Sequence, residues 1–523
     1  MLPFAFDGIP DESEAEVDAR TAFLSSVDPV LYDCCPRSCC CYAGPYEDFQ
    51  QCPICQESRF NSAGRARKTF TYIPLIPRLI GLYRNKAMAQ KLRYRHKFQQ
   101  SSVRHPEPIA ECEDIRRILG VGKPGTCYCP SAVEDIFDGN LYRALRDTTV
   151  TVNGQPLSHT FFSDKRDIAL GLSTDGFTPF KRRNQSCWPL ILYNYNLPPE
   201  ERFHQENIIC VGVIPGPKKP SDSDSFLWPL VEELIQLEGG VKAFDAGDPE
   251  GVLFALHGYV LLGAGDIPAI SMLMKMKGHN AFCPGRMCKI LGVQIPNGSA
   301  TVYYIPLDRS RHPSVVSPAA GSSPTAKYSP LDLPLRTHTE FMAQARHVME
   351  SPSMAEEGRR AKACGIKGLP LLRALQSLSF PSSFPYDFMH LFWENLLPNP
   401  IELWTGVFKG LDQGSQSYQL NKSVWEAIGQ ATAESGASIP SSFGPRLPNI
   451  DSERSYYTAD MMSFWTLYLG PVLLHRKFTH AKYFEHFTAL VRLLHMCLKF
   501  ALSYEDIKEI RVGFAAWVEK YEE

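Results

Sequence analysis

Three observations predict an α/β protein. Apolar stretches at 168–172, 188–195, 208–214 and 252–262 have the length and composition of strands, with Ile168, Leu170 and Leu172 alternating on one face. Residues 226–237 carry helical spacing instead, Leu227, Leu230, Val231 and Leu234 falling on one side. Finally, the first and last of these strands run directly into a carboxylate: 168–172 leads to Thr174-Asp175-Gly176, and 252–262 leads through Gly263-Ala264-Gly265 to Asp266. Open α/β sheets keep their chemistry at such strand ends, where loops leave a side chain facing a crevice rather than the core. Asp266 is therefore a candidate metal ligand. Locally, an Asp before Gly also forms turns and Asp-x-Pro also starts helices, so each position has a purely structural alternative.

The chain is 523 residues long and 44% apolar, enough for two to four cored domains at ~150 residues each. Its 54 basic and 56 acidic residues nearly cancel, so total charge does not point to nucleic acid. No run reaches the ~18 apolar residues of a membrane span, and the start lacks a signal-peptide pattern, which predicts an intracellular protein. Sixteen cysteines are then better read as metal ligands than as disulfides.

Seven of those cysteines fall between 34 and 55. Cys35 and Cys39, then Cys52 and Cys55, are spaced C-x3-C and C-x2-C with twelve residues between, which can close two knuckles on one tetrahedral zinc. Cys34, Cys40 and Cys41 leave the ligand choice open by a residue, and reduced buried thiols are the alternative. Between 61 and 104 there is no acidic residue but eleven basic ones. A helix expected over 79–98 would carry Arg84, Lys86, Lys91, Arg93, Arg95 and Lys97 among Tyr83, Tyr94 and Phe98, with Arg78 just before it, a mixture suited to phosphate contact; a solvated helical face is the bland alternative.

Farther on, 291–340 holds a Pro/Ser-rich surface connection and 411–450 reads as similarly loose. Helices are expected over 483–498 and after Ser503, where Ser503-Tyr504-Glu505-Asp506 has the pattern of a capped start.

The order strand with Asp, strand, strand, helix, strand with Asp resembles the ribonuclease H-like fold of DDE transposases, nucleases and integrases. Several stretches sharpen the likeness: STDGFTPFKRRNQSCWPLILYNYNLPPEER, the segment from GDIPA to GRMC, FPYDFMHLFWENLLPNPIELWTG and YTADMMSFWTLYLGPVLL. Together with the cysteine-rich leader and IPLIPRL, they resemble CACTA (En/Spm-type) transposases of the kind found in fungal genomes. The resemblance implies Mg²⁺ (or Mn²⁺) held by Asp175 and Asp266, 91 residues apart, with Asp460 as third acid 194 residues farther on. Asp387 and His390 match a D-x2-H motif of the family, and Glu394 lies a helical turn beyond. A C-x2-C pair is usual where this chain has CPGRMC, so Gly285 departs from the pattern. His279, Cys283 and Cys288 are what remains of a second zinc set, with buried thiols as the alternative.

The expected organisation is a polar leader (1–31), a zinc-binding module (32–60), a basic helical DNA-contacting region (61–165), the first part of a ribonuclease H-like core (166–290), a loop-rich connection (291–375), an inserted helical region with the last catalytic helix (376–475) and C-terminal helices (476–523). The expected function is Mg²⁺-dependent cleavage and joining of DNA at transposon ends, in the nucleus, as a homo-oligomer, with no membrane or small-molecule partner. The alternatives are a catalytically inactive descendant that binds DNA or a protein, and a nuclease-like protein acting on RNA.

Overall fold

The computed structural model describes residues 27–101, 132–178, 186–294, 302–311, 327–408 and 416–523. Most of the polar leader, Arg104 and residues 312–326 of the Pro/Ser-rich connection lie outside them. A six-stranded sheet organises the first half: β1 (Val30–Asp33), β2 (Thr69–Tyr72), β3 (Ile168–Thr174), β4 (Cys187–Asn194), β5 (Ile209–Pro215) and β6 (Gly258–Ala264), in the order β1-β2-β5-β4-β3-β6. Every neighbouring pair is antiparallel except β3 and β6, which run parallel. β3 lies between β4 and β6 and is buried on both faces, so it reads as a nearly continuous apolar run. Gly171 within it is required, because a Cβ there would stand 2.6 Å from the Tyr195 ring. β4 alternates buried and half-buried residues, as expected of a strand with one covered face.

The cover is helix α2 (Asp224–Gly239), which buries Phe226, Leu230, Leu234 and Leu237 in the same core as Leu170, Leu190 and Val211. Phe226 meets Phe70 of β2 edge-on at 5.5 Å. The strand expected over 252–262 is in fact two. Val252–Leu256 pairs with Val241–Asp245 in a separate ribbon, and only the second half joins the sheet as β6. His257 marks the break: its carbonyl accepts from Ile168 N at 2.9 Å, and its Nδ1 lies 3.1 Å from Asp167 Oδ1.

The basic segment departs most from expectation. It forms helix α1 (Leu75–Arg84) and two further helices, Lys86–Lys91 and Tyr94–Ser101, with extended Asn85 capping the second by accepting from Met88 N. Three of its charges are paired with acids, Arg67, Lys91 and Arg93, and two more, Arg78 and Arg95, are spent on backbone carbonyls. Arg93 pairs with Asp245 at 2.9 Å and Lys91 with Glu201 at 2.7 Å, while Arg78 donates to Cys210 O at 2.6 Å. Arg95 is fully buried and donates to the carbonyls of Asp167, Phe162 and Asp164. Tyr83, Tyr94 and Phe98 are packing residues rather than stacking platforms: Tyr83 donates to Arg166 O, Tyr94 to Asp135, and Phe98 packs on Phe137. Of the seven proposed DNA contacts, Arg84, Lys86, Lys91 and Lys97 stay exposed, Lys91 while paired with Glu201, and Arg78, Arg93 and Arg95 are engaged within the fold.

A second core lies in the C-terminal half, where Trp393, Trp404, Trp425, Trp465, Phe487 and Trp517 are buried together. Helix α4 (Met389–Leu396), wound in wide turns that end with Leu397 N donating to Phe392 O, enters this core, as do α5 (Ala459–Phe464), α6 (Ala481–Cys497) and α7 (Tyr504–Glu522). The expected boundary at 475/476 therefore does not separate two cores. Residues 411–450 are not uniformly loose, since Lys422–Ser435 is a helix that buries Trp425 and Ile428. α7 begins as expected: Ser503 accepts from Asp506 N, and Asp506 accepts from Ser503 N.

Two stability predictions follow from this packing. Replacing Arg95 with Ala strands several buried acceptors, so the variant should lose roughly 3 kcal/mol in denaturant unfolding while any DNA affinity keeps its salt dependence. Glu238, only 2% exposed, is pushed by burial from an ordinary 4.5 up to about 7, against weaker lowering by Gln376 and Ser377. The folded form thus holds its proton to higher pH than the unfolded chain, and stability falls as pH rises from about 4.5 to about 7. At ~1.36 kcal/mol per pH unit the loss is about 3 kcal/mol, and Glu238→Gln should recover it at pH 8 but change little at pH 4.

Candidate functional site

The parallel ladder between β3 and β6 ends with Ser173 opposite Ala264, and the two candidate carboxylates each stand two residues beyond that pair. Asp175 and Asp266 therefore leave the sheet from adjacent strands at the same end. The backbones stay close there: a Cβ on Gly265 would lie 2.9 Å from Thr174 O, and Gly265 has φ +155°. Asp175 is exposed, and its Oδ1 accepts from Gly176 N at 2.7 Å. Asp266 caps helix α3 (Ile267–Leu273), its Oδ1 accepting from Ala269 N at 2.5 Å. Both local structural roles weighed from the sequence are thus real, and they coexist with placement at the strand ends.

Asp266 lines a cleft of about 1630 Å³, whose far wall is helix α4. His390 and Glu394 are one turn apart on that helix, and both line the cleft. Asp387 accepts from His390 N at 2.9 Å, and its Oδ1 lies 3.0 Å from His390 Nδ1. A carboxylate oxygen accepts, so this contact suits a proton on Nδ1 and turns Nε2 toward Glu394 Oε2, 3.8 Å away. That is how proteins orient a histidine toward a metal or a substrate proton. Asp460 is elsewhere: exposed in the first turn of α5, where Thr458 caps the helix, and not among the cleft residues.

One cleft residue had no signal in the sequence. Lys219, in the loop after β5, donates to Pro268 O at 3.2 Å and lies 5.2 Å from the Trp188 ring centre. Trp188 in turn fills the space beside Gly176, where a Cβ would come within 2.3 Å of the indole. The ammonium thus stands between the two strand ends. Burial lowers its pKa, opposed by the charge of Asp266.

The cysteine module borders the same cleft through Pro45 and Tyr46. Cys35, Cys39, Cys52 and Cys55 bring their sulfurs within 4.8 Å of one another and could hold a metal ion such as zinc. The ambiguity among neighbours resolves in their favour, although Cys40 Sγ also comes to 3.8 Å from Cys52 Sγ. Burial, then Cys55 and Cys35, pushes the Cys39 thiol up, because sulfurs this close cannot all ionise without a cation among them. The module is fastened to the start of α2 by Asp222 N donating to Cys39 O at 2.8 Å and Cys41 N donating to Ser225 Oγ at 2.9 Å.

The second proposed metal set is not assembled among the described residues. Cys283 is buried with its sulfur 3.6 Å from Lys289 O, and Cys288 forms a bridge with Leu335. His279 faces the cleft instead. A buried arginine does the organising that a metal would do. Arg336 donates to the carbonyls of Cys283, Gly285 and Cys364, and Gly285 is packed so closely that a Cβ would sit 3.3 Å from Cys288 Sγ.

Residues 140–305 match the model of the transposase family tnp2. The match supports a transposase, and it contains β3 to β6 with both Asp175 and Asp266. Asp387, His390, Glu394, Asp460 and the cysteine cluster lie outside the tnp2 segment. No curated protein matches the chain. Among the described residues no helix is long and apolar enough to cross a membrane.

The cysteine geometry predicts about one zinc per purified chain, measured by elemental analysis. Cys52→Ser should lose it, and Cys187→Ser, far along the sequence in β4, should retain it.

Proposed function

We propose that this chain is a DNA transposase of the DDE/D type, similar to CACTA (En/Spm) elements, that cleaves and joins strands at transposon ends with Mg²⁺ or Mn²⁺. The observation that carries the reading is the pair of carboxylates at adjacent ends of parallel strands, both inside the segment that matches the tnp2 family. Three antiparallel strands in the order β5-β4-β3, followed by a helix and a return to β6 parallel with β3, support a ribonuclease H-like core. Retention of both carboxylates favours an enzyme over an inactive descendant.

The donor types suit a hard divalent cation, although among the described residues these carboxylates are not gathered into one ligand cluster as the four cysteines are. Asp266 and Glu394 offer oxygen ligands from two walls of one cleft, Asp175 offers a third from the next strand end, and His390 is oriented by Asp387. Such ions, when bound, lower the pKa of an attacking water or hydroxyl and stabilise the leaving oxygen in an in-line displacement at phosphorus. The protein's own contribution is positional. β3 and β6 fix two carboxylates, the Asp387–His390–Glu394 row holds a base and an acid opposite them, and Lys219 supplies positive charge beside the reacting phosphate. Glu394 is the third acid that this geometry supports, in preference to Asp460. The cysteine module, loaded with zinc, would brace the Asp222–Ser225 wall. Nuclear location and homo-oligomerisation accompany the reading as expectations from the same resemblance.

The test is Mg²⁺-dependent nicking of a supercoiled plasmid that carries the element's terminal repeats. Asp266→Asn keeps a good helix cap, so its fold should survive while nicking falls on the order of 10²–10³-fold. Glu394→Gln should behave alike and Asp460→Asn should stay near wild type. Full activity in Asp266→Asn would reject the site, and loss confined to Asp460→Asn would move the third acid to α5.

A further inference from the structure

The cleft contains a cluster of cations that neither the acid residues nor the family match accounts for. Lys275, Lys277 and Lys367 come from two segments that run antiparallel through a single bridge, Met276 to Ile366. Lys277 N donates to Gly365 O at 2.8 Å and Lys367 N to Lys275 O at 2.7 Å. Met276 and Ile366 point into the core, so strand alternation turns the flanking lysines the other way, and all three line the cleft that Asp266 and Glu394 share. Lys275 is neutralised by Asp222 and Asp224, each 3.2 Å away. Lys277 and Lys367 have no ion pair among the described residues, and Lys219 has none either, although the charge of Asp266 acts on it. Lys367 is held below the ordinary lysine range by its surroundings and then by Lys275, Lys219 and Lys277. Like charges gathered without a counter-ion are relieved by an anion. Lys275 itself adopts a left-handed backbone at φ +53°, a conformation rare for a side-chain-bearing residue and common where a ligand site over-determines the chain.

We infer that Lys219, Lys277 and Lys367 form a backbone-phosphate subsite that leads a polynucleotide strand along the cleft to Asp266, with Lys275 as a positioning residue locked by Asp222 and Asp224. The inference rests on the reading of this cleft as one that handles DNA, and it replaces the helical segment 79–98 as the main phosphate contact. Lysine point charges suit phosphates read without regard to base sequence. The subsite also accounts for which groups meet the strand: neutralised phosphates lie on the Lys277–Lys367 side, and the uncompensated carboxylates stand where a divalent ion would share the scissile one.

Binding of fluorescent duplex and single-stranded oligonucleotides of mixed sequence, read by anisotropy without added divalent metal, tests this on the full chain. Each lost phosphate contact removes ~0.9 from the slope of log K against log salt, so Lys277→Ala with Lys367→Ala should flatten it by about 1.8. Between 50 and 200 mM salt the wild type should therefore lose about tenfold more affinity than the double variant. Arg84→Ala with Lys86→Ala and Lys97→Ala should leave the slope unchanged. The Lys277→Arg and Lys367→Arg pair keeps charge and should restore the wild-type slope. An unchanged slope in the alanine pair, or a flattened slope in the arginine pair, overturns the subsite while leaving the transposase reading intact. Absence of any DNA binding by the wild type overturns the transposase reading itself.

Discussion

The parallel pairing of β3 with β6 is the constraint on which the site depends. Parallel neighbours cannot be joined by a hairpin, so the chain between them must cross over, and β4, β5, α2 and the 241–256 ribbon all lie in that crossover. The register is set by one irregularity. Leu170 faces Val260 and Gly171 faces Leu262, so Leu261 is an extra residue in β6. In an unbulged ladder Ala264 would fall opposite Thr174, and Asp266 would fall opposite Gly176. The extra residue brings Asp266 level with Asp175 and changes which face the rest of the strand presents. Gly265 then allows the two chains to stay in contact beyond the last registered pair.

A second constraint carries α4 to this place. The free edge of β6 is covered by the segment before α4: Gly263 N donates to Ser383 O at 2.8 Å and Ser377 Oγ to Val260 O at 2.7 Å. An edge closed in this way cannot recruit another strand. Gly263 has no side chain because Phe384 occupies the space, where a Cβ would meet its ring at 2.5 Å. From Phe384 the chain needs only three residues to reach Asp387. Arg286 completes the link. It donates to Pro385 O at 2.7 Å and stacks on Tyr386 at 4.2 Å, tying the CPGRMC loop to the start of the helix that holds His390. A loop organised by Arg336 and Arg286 can position that helix without a second zinc, which gives Gly285 a physical role.

Much of this architecture was legible in the sequence, because strand alternation, helical spacing and paired cysteines are local signals. β3, β4, β5, α2, the α7 cap and the four clustered cysteines were all placed by such patterns. Partnership at long range was not legible. Eleven basic residues with no acid among them looked uncompensated, yet three of them, Arg93, Lys91 and Arg67, meet Asp245, Glu201 and Glu57 from outside the segment. The strand expected over 252–262 failed for a related reason: its apolar run is nearly continuous, and the break falls at His257, which contacts Asp167 far back in the chain. Lys219 and Lys367 have no local pattern, since they gain meaning only from the wall they face.

The same distinction bears on the third acid. Asp460 was favoured because its helix matches the family text, but a match places a residue in a helix and says nothing of the helix face. In α5 the residues that pack are Met462 and Phe464, buried in the C-terminal core that also holds Trp393 of α4. α5 therefore shares a packing core with α4. Trp393 and Leu397 form the buried face of this stretch, while His390 and Glu394, four residues apart, form the face turned to the cleft. The wide turns of α4 matter here, because a helix wound with an extra residue per turn shifts which side chains share a face, and such turns recur at functional sites. Asp460 is exposed and is not among the residues that line the cleft, whereas Glu394 lines it beside a histidine that Asp387 contacts.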